Sequence, residues 1–98
     1  MDKKCLMKMI DDLINTVKRD KGVEPQYIEI PEKYKSLLGL EDIKAMFFKI
    51  PEYPNITFSF NKKDNDVLRA VVHEQDAYEY LYVMNKYAEE RCKSAKGK

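Results

Sequence analysis

The 98-residue chain is 44% hydrophobic and 36% charged, enough apolar matter for the core of a single domain spanning residues 1–98, and it excludes a disordered chain. Its 18 basic and 17 acidic side chains leave a net charge of +1, which argues against strong nonspecific duplex binding, because counterion release needs a marked basic excess. Three glycines, one histidine and two cysteines leave little material for phosphate cradles or metal clusters.

The opening stretch MDKKCLMKMIDD sets charges among its apolar residues, so neither a secretory signal nor a membrane span is expected, and the expected compartment is the cytoplasm. Cys5 and Cys92 stand far apart in no CxxC pattern, and in that compartment they are expected as free, buried thiols. Residues 2–20 predict an amphipathic helix, with Leu6, Met9, Ile10, Leu13, Ile14 and Val17 on one stripe and Gly22 as its stop. Tyr27 to Ile30 predicts a short strand with Ile28 and Ile30 inward, ended by Pro31. Glu32 to Leu38 predicts a short helix closed by Gly39, burying Tyr34, Leu37 and Leu38.

From Ala45 to His73, three runs rich in aromatic and β-branched residues predict an antiparallel meander. The register that keeps Arg69 out of the core pairs Ile50 with Ile56, Phe48 with Phe58 and Met46 with Phe60 on one side. On the other it pairs Phe60 with Leu68, Phe58 with Ala70 and Ile56 with Val72. It needs a long connection from Asn61 to Val67, with a bulge expected near Val67. Asp76 and Glu79 have the spacing of a capping box, so a final helix is expected from there to about Cys92. Ala77, Leu81, Met84, Ala88 and Cys92 form its apolar face, Tyr78, Tyr82, Asn85 and Glu89 its flank, and a frayed basic tail follows from residue 93. The expected fold is α+β: a small antiparallel β-meander of three or four strands with the N- and C-terminal helices packed on one face.

Chemistry is harder to find in the chain. His73-Glu74 lacks a second histidine four positions on, where Ala77 stands, so no metal site is expected, and a small enzyme built on a carboxylate/His site ranks last among the readings. Asp64-Asn65-Asp66 is oxygen-rich but lacks the glycine and distal glutamate of a calcium loop. No cofactor is expected, since no phosphate-binding or nucleophile motif occurs. An open sheet face carrying Phe47, Lys49, Ser59, Arg69 and His73 would suit single-stranded nucleic acid, with Phe47 stacking on bases and cations on phosphates. The leading expectation is a non-enzymatic protein-binding module, an inhibitor, adaptor or assembly subunit. Its partner would be another protein or a second copy of itself, met by Tyr78, Tyr82, Asn85 and Glu89, because tyrosine buries area at low entropic cost.

Overall fold

The computed structural model describes residues 1–63, 65–73 and 77–92 in full and residues 93–96 as helical backbone. The first helix, α1 (Lys3–Lys21), begins where the Asp2 carboxylate accepts the Cys5 N–H at 2.8 Å and ends at Gly22, whose φ of +75° is the left-handed conformation that glycine adopts at least cost. Between these caps Cys5, Leu6, Met9, Ile10, Leu13, Ile14 and Val17 are buried, the stripe that the helical period dictates. Lys18, Arg19 and Lys21 sit in the last turn, where cations oppose the negative end of the helix dipole.

Among the described residues five strands make one mixed sheet: β1 (Tyr27–Pro31), β2 (Phe47–Ile50), β3 (Tyr53–Asn61), β4 (Val67–His73) and β5 (Ala77–Val83), in the spatial order β2-β3-β1-β4-β5. The fold is therefore α+β with N- and C-terminal helices, but the expected meander is corrected. The central strand β1 lies between β3 and β4, parallel to the first and antiparallel to the second. Ile28 pairs with both Phe58 and Ala70, so those two residues share a row without touching as neighbours. The connection from Asn61 to Val67 has to step across β1, about 10 Å at two strand spacings, which a tight two-residue turn could not do. The pairing of β4 runs unbroken along β5, with no bulge at Val67.

The β2–β3 hairpin keeps Phe48 opposite Phe58 and Phe47 opposite Ser59, then shifts register so that Ile50 faces Tyr53 rather than Ile56. Met46 falls outside the strand and is 75% exposed, not a core residue. The short helix before β2 is two 3-10 turns, Glu32–Tyr34 and Ser36–Leu38, capped by Gly39 at φ +67°. Their Tyr34, Leu37 and Leu38 pack on the core edge.

The largest correction is at the C-terminal end. Ala77–Val83 is a strand, and the final helix α2 (Lys86–Lys96) starts ten residues later than expected and continues past Cys92. Asp76, the proposed cap, lies outside the described residues, as do Asp64, Glu74 and the last two residues of the tail. Met84, Ala88 and Cys92 are buried, whereas Leu81 is exposed. Both helices contribute to the same hydrophobic cluster as Ile28, Ile30, Phe48, Ile56, Phe58, Leu68, Ala70 and Val72. Within it Phe48 stacks on Phe58 and Phe60 with ring centroids 5.8 and 4.6 Å apart. Cys5 and Cys92 are both free and buried; the two thiols meet where α1 packs on α2, and burial together with the Cys92 thiol pushes the Cys5 thiol up to about 12. Among the described residues no helix is long and apolar enough to cross a membrane.

Candidate functional site

A sheet has two edges, and these two are built differently. The β2 edge is four residues long, contains Lys49, is followed by Pro51 and carries the register shift between Phe48 and Ile50. Each of these features discourages a further strand from pairing there. The β5 edge has none of them. It is seven residues long, AYEYLYV, with neither proline nor lysine, and its register against β4 is continuous from Val67↔Val83 to His73↔Ala77. No described strand pairs with its outer side, which leaves a row of backbone donors and acceptors available.

Alternation distributes the β5 side chains. Tyr78, Tyr80 and Tyr82 lie opposite Val72, Ala70 and Leu68, hence on the face that the helices cover. Lys21 of α1 holds its ammonium 3.4 Å from the centre of the Tyr78 ring, and the Tyr80 hydroxyl donates to the Asp20 carboxylate. Tyr82 packs on the core, and burial raises its phenol above the ordinary tyrosine value. The opposite face of β5 shows Glu79, Leu81 and Val83, with Leu81 64% and Val83 55% exposed.

The four residues expected to form one helical flank are thus dispersed. Tyr78 and Tyr82 are on the strand, four pairs apart on one face with Tyr80 between them. Asn85 caps α2, its side-chain oxygen accepting the Ala88 N–H at 3.0 Å, and Glu89 lies 3.7 Å from the N-terminal amine of Met1. Asn85 and Glu89 hold the last helix in place; Leu81, expected on a buried helix face, and Val83, absent from the sequence reading, are the β5 side chains left open. Their signal is the recurrence of tyrosine at every second position from Tyr78 to Tyr82, a strand pattern that the helical spacing of Ala77, Leu81, Met84 and Ala88 obscures.

The open sheet face gathers the other proposed residues. Phe47, Ser59, Glu29, Arg69 and Leu81 form one row across all five strands. Phe47 is 53% exposed, its ring edge-on to Tyr27 with centroids 6.1 Å apart. Ser59 is buried and shares a hydrogen bond with the Tyr27 hydroxyl. Arg69 donates to Glu79 and, at 3.1 Å, to Glu29, and these carboxylates raise its already high pKa. Lys49 donates to Thr57 at 3.0 Å, and the His73 N–H donates to the Gln26 side chain at 2.8 Å. The row itself thus offers one aromatic ring, one carboxylate and a guanidinium already engaged by Glu29 and Glu79, while Lys62 and Lys63 line the same groove.

Among the described residues no three His, Cys, Asp or Glu side chains gather as metal ligands. Comparison with protein-family models, curated proteins and solved structures returns no match to this chain.

Proposed function

We propose that this protein is a non-enzymatic binding module that accepts an extended segment of a partner protein along the outer edge of β5. One observation carries the reading: the sheet leaves a seven-residue edge unguarded and flanks it with exposed Leu81 and Val83, while the opposite edge is short, charged and bulged. Strand addition takes affinity from main-chain hydrogen bonds and specificity from alternate side chains, which is what an edge with Tyr78, Tyr80 and Tyr82 on one face and Leu81 and Val83 on the other can supply. The partner-facing residues are then the β5 backbone, Tyr78, Leu81 and Val83. Asn85 and Glu89 support α2. A cytoplasmic setting accords with the two free thiols.

The test is selection of displayed peptides on the immobilised protein, followed by amide mapping of a chosen peptide. Enriched sequences should alternate apolar residues, and their binding should perturb amides of residues 77–83. Replacing Leu81 and Val83 together by lysine should remove binding while leaving the circular dichroism unchanged. Perturbations centred instead on Phe47 and Lys49, or binding undiminished in the double variant, would refute the β5 site.

A further inference from the structure

The geometry points to a second copy of the chain as an occupant of this edge: β5 pairs antiparallel with β5 of the partner across a two-fold axis at Tyr80, joining two five-stranded sheets into one of ten. This rests on the reading of β5 as a binding edge and adds the identity of the partner and the register. Three observations support it. A two-fold interface must be self-complementary, and Tyr80 is the midpoint of Ala77–Val83, so an axis there pairs every residue of the strand.

The charges fit as well. With the axis at Tyr80, Ala77 faces Val83 of the other copy, Tyr78 faces Tyr82, and Glu79 faces Leu81, so no like charges are opposed. An axis at Glu79 would set two carboxylates against each other, and one at Leu81 would leave Ala77 and Tyr78 beyond the overlap of the two strands. Residues opposed in this way keep the helix-covered faces of both copies on the same side, so the tyrosine face and the aliphatic face each continue across the junction. Finally, the two edges differ. Because β2 is short, bulged and lysine-bearing, a second round of pairing has no favourable edge, and assembly closes at two chains instead of growing into a fibre.

The register makes a charge test of opposite signs. Within one chain Leu81 lies opposite Arg69, and across the proposed axis it lies opposite Glu79 of the second copy. Leu81→Glu is thus compatible with its own sheet but opposes two pairs of carboxylates in the dimer. Leu81→Lys is mildly unfavourable in its own sheet but makes two ion pairs across the axis. Sedimentation velocity from micromolar to near-millimolar concentration should show a two-chain species for the native protein. Leu81→Glu should raise its dissociation constant at least ~10-fold, and Leu81→Lys should leave it within ~3-fold.

Amide exchange of the native protein gives a second measure that needs no variant, since protection of residues 77–83 should fall on dilution. A native protein that is one chain at every concentration overturns the dimer. So does equal weakening by both variants, or growth beyond two chains. If peptide binding at β5 persists in a monomeric protein, the edge reading stands and only the identity of the occupant fails; if both fail, so does the edge.

Discussion

Phe58→Ala tests the arrangement of the core most directly. Phe58 is fully buried in the middle of β3, opposite Phe48 on one side and Ile28 on the other. Its ring lies 5.8 Å from Phe48 and 6.2 Å from Tyr53. Truncating a buried phenylalanine costs about 3–5 kcal/mol, and two aromatic neighbours at about 0.5–1.5 kcal/mol each place this site in the upper half of that range. For a chain of this length the loss corresponds to a melting temperature lower by roughly 20 °C, and it consumes a large part of a total stability of about 5–15 kcal/mol. Guanidinium titration followed by circular dichroism measures it, with an unchanged slope to show that the unfolded state is the same. The control is Phe47→Ala, an aromatic truncation on the neighbouring strand at a 53% exposed position, expected to cost less than ~1 kcal/mol. Similar losses for the two variants would refute the assignment of faces.

Burial raises the phenols of Tyr34, Tyr53 and Tyr82, that of Tyr53 to about 12 with Asp11 next to it, so folding binds their protons more tightly. Their contribution is complete below the unfolded value near 10 and is lost as pH rises through the folded values. Absorbance at alkaline pH should show these tyrosines ionising late and together with unfolding, and Tyr53→Phe should flatten the stability profile between about pH 10 and 12. Asp66 behaves oppositely: Lys33 at 2.7 Å and the Tyr34 hydroxyl lower its pKa, so its contribution is present above about pH 3.9 and lost as pH falls through the folded value. Because the pair is half exposed, Asp66→Asn should cost less than ~1 kcal/mol at pH 7 and nothing at the acid end of an unfolding series. The Cys5 thiol, held up to about 12, should react with a disulfide reagent at pH 8 only as fast as the α1–α2 contact opens, and at an ordinary rate in denaturant.

Legibility followed the physics of each signal. The stripe of α1 has a period that only a helix satisfies, so Leu6 to Val17 were identified with their burial, and Ile28 and Ile30 were placed inward for the same reason at period two. Alternation also assigned Phe48, Phe58, Leu68 and Ala70 to the core face, because it fixes which side a residue faces. It carries no information about which strand lies next door, so the insertion of β1 between β3 and β4 could not be read from it. The β5–α2 boundary failed for another reason. Ala88 and Cys92 are a true helical stripe in α2 with Met84 buried just ahead of it, and Ala77 and Leu81 extend this spacing backward by coincidence into a strand of aromatic residues. The four-residue spacing of Tyr78 and Tyr82 predicts one flank of a helix; in β5 the same spacing puts them on one face of a strand, with Leu81 and Val83 on the other.

The placement of β1 bears on how the chain reaches its native state. Tyr27 pairs with Thr57, 30 residues on by number, and Ile28 with Ala70, 42 residues on, so the centre of the sheet is assembled from its most distant sequence neighbours. The local hairpins β2–β3 and β4–β5 can form early, but neither supplies the other with a partner until β1 docks between them. The loop entropy of both closures falls on that docking step, which makes it the expected bottleneck of folding. Until it occurs, the edge of β3 and the edge of β4 are both open, and an Ile28→Thr change that weakens docking should slow refolding and prolong the interval in which newly made chains are prone to aggregate.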